Sequence, residues 1–276
     1  MTGVEKQRLR FGIWDAFEGQ VFTELSQRVH GCEPFDIPPE WERYCVFDWG
    51  YSKPFCVHWY AIDFDGVMYL YREWYGCKKE EKGADDGADV GLKMQAWEVA
   101  RGIHERENNE KIRMRIADPS IWHPRPDNRR KESRGVTILE DMQREHIYFI
   151  KADNDRLHGK MQVHKRFQFD EEIDKETGEV ISETPMFQAF NTCKGFWRTM
   201  QNLSEDPKNT EDVDTNQEDH PYDCVRYMAM ARPIKPKKVS RIATGSFQSE
   251  RNRLIKARNY AKRHGVSIDV AYTRVR

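Results

Sequence analysis

No stretch of the sequence approaches the roughly 18 consecutive apolar residues that a membrane-spanning helix requires. The N-terminal MTGVEKQRLR also lacks the apolar core of a signal peptide, so the chain is expected in the cytosol, with no membrane partner. Six cysteines (Cys32, Cys45, Cys56, Cys77, Cys193 and Cys224) occur without C-x-x-C spacing. That pattern suggests neither a zinc site nor a disulfide framework, only reduced and mostly buried thiols. A phosphate-cradling G-x-x-x-x-G-K-[ST] loop is missing too: Gly159-Lys160 is followed by Met161 and lacks the upstream glycine, so no ATPase activity is expected in this chain. Net charge is nearly absent, at −1, but the total hides an asymmetry. From Arg232 to Arg276 thirteen Lys/Arg face only Glu250 and Asp269, a surplus of about 11, which leaves about 12 negative charges on the rest.

What is present is a chain of 276 residues, long enough to bury a substantial core. Residues 1–40 carry little periodicity and end near Pro38-Pro39, and read as a lead-in segment outside the core. Strands follow at Tyr44–Trp49, Cys56–Phe64 and Val67–Tyr75, rich in Val, Ile, Tyr, Phe and Trp; Asp65-Gly66 marks a hairpin between the last two. Three consecutive antiparallel strands are therefore expected. Apolar residues at Leu92, Ala96, Val99, Ala100 and Ile103 give a helix between Asp89 and Asn108. A short strand over 114–120 ends in Asp118-Pro119. A helix at Lys131–Glu145, a strand at Ile147–Ala152, a polar helix at Asp155–Phe169, a hairpin around Thr177-Gly178, a strand at 185–191 and a helix at Cys193–Leu203 complete the pattern.

Ser204–Asp219 holds seven acidic residues against one lysine and no apolar period, and reads as a solvated, mobile loop. The following HPYDCVRYMAMA starts a helix: Pro221 suits its first position, and Asp223 falls in the first turn, where the helix dipole favours negative charge. In the tail, Ser246–His264 reads as a basic helix stopped by Gly265. Val266, Ile268, Val270 and Tyr272 then alternate as a short strand does.

Three carboxylates share a position type. Asp48 ends a strand in DWG, Asp118 ends a strand in ADP, and Asp223 lies at a helix start in HPYD. In α/β sheets such positions converge on an open edge. Three carboxylates meeting there would repel one another unless a cation holds them, and an all-oxygen set suits Mg²⁺ or Mn²⁺. One or two such ions can activate a water and stabilise the leaving oxygen of a phosphodiester. The chain has 46 acidic residues, however, and strand-end aspartates also serve simply to cap turns. Gly50 is expected to keep the backbone beside Asp48 clear for metal and phosphate.

Taken in order, FDWGYSKP, YREWY, IADPS and DHPYDCVRYM resemble the C-terminal nuclease domain of tailed-phage terminase large subunits, the DNA-packaging motor, from about Trp14 to Arg232. IWDAFEGQVF (13–22) looks like the segment that follows the ATPase half of such proteins. The resemblance implies an α/β, RNase H-like mixed sheet, three antiparallel strands then parallel strands, flanked by helices. It divides the chain into a lead-in from the missing ATPase half (1–40), a nuclease domain (41–232) and a basic C-terminal tail (233–276). It implies a Mg/Mn-dependent endonuclease that cuts concatemeric double-stranded DNA at the start and end of packaging by a two-metal-ion mechanism. Asp48, Asp118 and Asp223 would be the catalytic, metal-holding carboxylates, Asp48 bridging two ions, with Asp219 either an auxiliary ligand or a helix cap. The implied partners are the ATPase domain, the small terminase subunit and the portal protein, and the implied place is the host cytoplasm, transiently at the procapsid portal.

Lys53, Arg72, Lys160, Lys165 and Arg166 are candidate phosphate contacts, each weighed against an ordinary surface charge. Arg226 is expected instead to orient Asp223 by an i,i+3 pair. Trp49, Tyr51, Trp74 and Tyr75 are expected in packing rather than on bases. His220 is weighed as a base, but ahead of a helix-initial proline, and with no base required by two-metal hydrolysis, it is expected to cap. Two rival readings stand beside the nuclease: a DNA-gripping, portal-docking module with weak cleavage of its own, and another RNase H-like enzyme such as a resolvase or transposase. Salt-sensitive DNA binding that survives loss of the aspartates would mark the first, and branched-junction preference the second.

Overall fold

The computed structural model describes residues 19–78, 89–124, 135–173 and 180–234, and in the tail 253–254, 256–258, 260–262 and 265–274. The chain separates into two compact units, Met1–Ile234 and Lys235–Arg276.

The first unit is built on a seven-stranded mixed sheet. Its centre is the antiparallel run β2 (Glu42–Asp48), β3 (Cys56–Ile62) and β4 (Met68–Tyr75), in the register Asp48↔Cys56 and Cys56↔Tyr75. β5 (Ile112–Ala117) adds parallel to β2, and β6 (Ile150–Lys151) parallel to β5. On the other side β9 (Phe187–Phe190) runs parallel to β4, and β1 (Gly31–Cys32) parallel to β9. The resulting order, β1-β9-β4-β3-β2-β5-β6, is the RNase H-like sheet that the resemblance implies. The β3–β4 turn forms where Asp65-Gly66 signals it: Gly66 has φ 86°, and Asp63 Oδ1 accepts from the amides of Asp65 and Val67.

Tyr44, Cys45, Val46 and Phe47 are all fully buried, which is why this run reads as continuously apolar: both faces of the sheet are covered. Alternate side chains of β3 serve the two faces. Trp59 turns towards α2 (Ala96–Glu107) and donates to Glu107, while the Cys56 side receives α6 (His220–Ala231), whose Cys224 Sγ lies 3.5 Å from the Cys56 carbonyl. α2 begins later than its apolar spacing suggests, because Asp89 and Lys93 hold positive φ and Gln95 with Glu98 forms the capping box. α3 (Ile138–Arg144) starts at the Thr137–Glu140 capping box, and α4 (Arg156–Phe167) behind the Asp155 side-chain cap. Residues 131–134 of the expected helix and the 174–179 turn between β7 (Phe169–Ile173) and β8 (Val180–Pro185) lie outside the described residues. α5 (Lys194–Met200) packs on β4 through Glu73, which accepts from the amides of Gly195 and Phe196.

In this unit two segments differ in kind from expectation. The described part of the lead-in is core, not a bystander: Val21, Phe22, Leu25 and Val29 are buried, and β1 pairs with the sheet. The acidic stretch after Leu203 is not irregular either. β10 (Glu205–Asp206) and β11 (Asn209–Val213) form a hairpin, with Val213 buried and Asp212 paired to Arg156 of α4 at 2.8 Å. An inward side chain, an ion pair and the Lys160 bond to the Thr210 carbonyl help to hold a hairpin whose composition carries no β signal.

α1 (Gln27–His30) ends on His30, which is fully buried. Its Nε2 lies 2.9 Å from the Phe167 carbonyl and must donate, while Nδ1 stands 3.2 Å from the Ser26 amide, from which it accepts when neutral, and 3.1 Å from the Ser26 carbonyl, to which it donates when protonated. The neutral ring satisfies the Phe167 carbonyl and the Ser26 amide, the charged ring satisfies the two carbonyls, and burial favours the neutral one. Burial therefore pushes the His30 pKa below the ordinary 6.5, although hydrogen bonds to the Ser26 and Phe167 backbone and the charges of Glu24 and Glu183 oppose the shift. Because the unfolded chain then binds the proton more readily, the stabilisation is complete above about pH 6.5 and is lost as pH falls below it. Urea midpoints at pH 7.5 and 5.5 should differ by more in the wild type than in His30→Gln; equal differences would refute this role.

In the tail unit, Ala257, Ala261 and Ala271 form a small core with Tyr260, Val266 and Tyr272 packed against it. Of the basic helix expected over 246–264, residues 253–254, 256–258 and 260–262 are described, and these are helical. The alternating segment after Gly265 is a helix, α7 (Ile268–Arg274), not a strand. Ser267 precedes it, with its Oγ 3.4 Å from the Val270 amide, an N-terminal signal that outweighs the alternation where no described strand offers a partner.

Candidate active site

Asp48 and Asp118 end neighbouring parallel strands at the same level: Phe47 pairs with Ala117, and the Asp118 amide donates to the Phe47 carbonyl at 3.0 Å. Asp223 arrives from the first turn of α6, which Cys224 seats over the ends of β2 and β3. The three positions therefore share one edge. Each carboxylate has its own donor. His220 Nδ1 lies 2.8 Å from Asp48 Oδ2, the Tyr227 hydroxyl donates to Asp118 Oδ2, and Arg226 donates to Asp223 Oδ1 from Nε at 3.0 Å and Nη2 at 2.8 Å. Asp118 also caps the turn Pro119–Trp122 by accepting from the Ser120 amide.

Burial pushes Asp48 up to about 6; the His220 hydrogen bond and charge oppose the rise, and the charges of Asp223 and Asp118 add to it. Asp219 is pushed up to about 7, first by burial and then by Asp223. It occupies the N-cap position of α6 but makes no capping bond with its side chain, so of the two roles expected for it the cap is not formed. His220 does not cap either. Burial lowers its pKa, but the Asp48 hydrogen bond and the charges of Asp48, Asp219 and Asp223 outweigh that and raise it. Its Nε2 faces Asp89 Oδ1 at 3.5 Å, and Asp89 also pairs with Lys53.

The donor set is all oxygen, the class that hard divalent cations such as Mg²⁺ and Mn²⁺ take, and a raised carboxylate pKa among like charges is the condition such a cation relieves. Among the described residues, the group whose ligand atoms all lie within 4.8 Å of one another is Cys56, His58 and Cys224 rather than the aspartates. The polar atoms of that group are spent in the core. His58 Nε2 meets Glu73 Oε1 at 3.0 Å, its Nδ1 meets the Tyr60 hydroxyl at 2.8 Å, and burial pushes the Cys224 thiol up to about 11.

Of the expected phosphate contacts, Lys160 and Arg166 are corrected. Both are buried: Lys160 donates to the Thr210 carbonyl, and Arg166 to the carbonyls of Gly66 and Arg232, because α4 turns them towards neighbouring chain rather than solvent. Arg72 is tied to Glu110 and lies over the Trp59 ring. Lys165 is exposed, and Lys53 sits at the rim with Asp89. Trp74 packs on Phe55 and Arg106, Tyr75 is buried with its hydroxyl on Glu218, Trp49 packs against the core, and Tyr51 is exposed. Gly50 has another purpose than the one expected: a Cβ there would meet the Pro54 carbonyl oxygen at 2.1 Å, so the residue lets the 49–54 turn close.

Sequence reasoning missed Asp89, Tyr227, Asn154, whose Oδ1 accepts from Arg226, and Arg156, whose Nη1 stands 3.9 Å from Asp223 Oδ1. Tyr227 follows Asp223 by four residues on one helix face, and Asn154 follows a strand end as the aspartates do, so both carried a signal. Asp89 lies in a Gly- and Asp-rich stretch and carried none.

Strand order and the helix laid across the middle strands define an RNase H-like fold. Within that class, large terminases are among the solved structures that match. The large terminase of a thermophilic bacteriophage matches with a TM-score of 0.56 at 20% identity, over 83% of this chain and 49% of that one. The P22 large terminase nuclease domain matches with a TM-score of 0.51 at 17% identity, over 78% of this chain and 93% of that one. The chain thus spans about half the length of the thermophilic phage protein. No family model and no curated protein sequence matches it.

Proposed function

We propose that the chain is the metal-dependent endonuclease domain of a viral DNA-packaging terminase, cutting concatemeric double-stranded DNA when packaging begins and ends. The observation that carries this reading is the meeting of Asp48, Asp118 and Asp223 at one sheet edge, each held by a different donor. Asp48, Asp118 and Asp223 would hold Mg²⁺ or Mn²⁺, with two ions expected, and Asp219 faces the same charges. When bound, the ions supply an activated water and charge compensation for the leaving oxygen. The protein's own part is orientation. Arg226 and Tyr227 fix Asp223 and Asp118, and His220 fixes Asp48. Lys53 and Lys165 are the exposed cations, among those expected at phosphates, left to meet them.

A motor context is supported by the thermophilic phage terminase, of which this chain spans about half and which has been crystallised with ADP. An ATPase domain, a small terminase subunit and a portal are the partners this context calls for, in the host cytoplasm and transiently at the procapsid. The basic tail is the natural portal- or DNA-docking element. Supercoiled plasmid incubated with the protein should be nicked and linearised with Mn²⁺ or Mg²⁺ and remain intact with EDTA. Cleavage that is indifferent to EDTA would sink the reading.

A further inference from the structure

Asn154 lies in the connection between β6 and α4, a third segment beside those that carry Asp118 and Asp223. Its Oδ1 accepts from Arg226 Nη2 at 2.8 Å and stands 3.4 Å from the Tyr227 hydroxyl, whose one proton goes to Asp118, so this second approach is a packing contact. A guanidinium only donates, so the amide can have just one orientation, oxygen towards Arg226. The same Arg226 grips Asp223, and the same Tyr227 donates to Asp118. One side chain therefore touches the holders of two carboxylates that come from different elements, 105 residues apart in sequence.

A second feature is built around this contact. α4 carries Gly159 in its interior, where glycine costs about 1 kcal/mol relative to alanine. A Cβ at that position would come within 2.5 Å of Arg226 Cγ and 2.8 Å of its Cδ. The glycine clears the path by which Arg226 reaches Asn154.

We propose that Asn154 is a positioning residue for the carboxylate edge: it anchors the Arg226–Asp223 pair by a hydrogen bond, packs it against the Tyr227–Asp118 pair, and so sets the spacing of the two carboxylates that would receive the cations. The role rests on the nuclease reading above. It is tested on the 276-residue protein by calorimetric titration with Mn²⁺ alone, together with kcat and KM for plasmid nicking. Asn154→Ala should weaken Mn²⁺ binding and lower kcat, each by about 10–100-fold, with KM for DNA unchanged. Asn154→Asp, which keeps an oxygen for Arg226, should restore most of the Mn²⁺ affinity, and Gly159→Ala should reproduce the loss from the opposite side. An Asn154→Ala protein, folded by circular dichroism, that binds Mn²⁺ as the wild type does overturns the role, as does a loss confined to KM. A wild type that neither binds Mn²⁺ nor nicks DNA overturns the nuclease reading, and this role with it.

Discussion

Asp48→Ala should reduce plasmid cleavage by about 10³-fold while leaving the fold intact. The size follows from what the residue is asked to do. A metal-held phosphoryl transfer draws several kcal/mol of transition-state stabilisation from its ions, and a loss of about 4 kcal/mol corresponds to about 10³ in rate. Asp48 is the carboxylate whose charge is hardest to keep, since burial and the neighbours Asp223 and Asp118 all push its pKa up. Removing it relieves that repulsion. The variant should accordingly unfold at a urea concentration equal to or above that of the wild type even as activity vanishes. Opposite movement of stability and activity is the signature of a functional carboxylate; a variant that keeps more than about a tenth of wild-type cleavage, a loss of only about 1.4 kcal/mol, would remove Asp48 from the site.

Arg226→Met is expected to do the reverse, with its larger effect on stability. The Arg226 side chain is wholly buried, and Asp223 keeps only 15% of its exposure. Burial opposes the Arg226 charge, but Asp223 more than compensates and holds the guanidinium firmly protonated. Breaking a buried pair from one side strands the other charge, typically at about 3–5 kcal/mol. Because Asp223 retains some solvent, the lower figure applies, about 3 kcal/mol, or about 6–12 °C in Tm for a unit of this size. The double variant Arg226→Met/Asp223→Ala should recover part of the loss, since no orphan charge remains. Thermal unfolding followed by circular dichroism checks both; a shift of less than about 2 °C for the single variant, under 1 kcal/mol on the same scale, would mean that the pair is effectively solvated.

The elements that could be read from sequence are those in which local chemistry and tertiary packing agree. The β2–β4 meander announces itself through apolar runs and Asp65-Gly66, and α6 through Pro221 and Asp223. That the three aspartates meet at one edge could be anticipated because strand ends and helix starts are legible positions. Of the groups that hold them, Arg226 could be read as well, from its i,i+3 spacing to Asp223, but the long-range holders could not. His220 reaches Asp48 across 172 residues, and Asn154 reaches Arg226 across 72, and no local pattern encodes either meeting. The β10–β11 hairpin was hidden for a related reason, since its NTEDV strand is polar and owes its shape to Val213 and Arg156. In the tail, two local rules conflicted. Alternation favoured a strand and Ser267 a helix, and burial of Ala271 against Ala257 and Ala261 went with the helix.

The buried thiols behind the carboxylate edge have a kinetic consequence. Cys56 pairs with Asp48 across two strands, and Cys224 adjoins Asp223, yet both are sealed between α6 and the sheet. A thiol-specific reagent can reach them only when α6 lifts from β2 and β3. Their modification rate is thus an internal clock for undocking of the helix that carries Asp223, running on the time scale of local opening rather than of global unfolding. On the nuclease reading proposed above, a divalent ion held by Asp48, Asp118 and Asp223 would slow that clock, so that occupancy of the site would be readable from two side chains that never touch it.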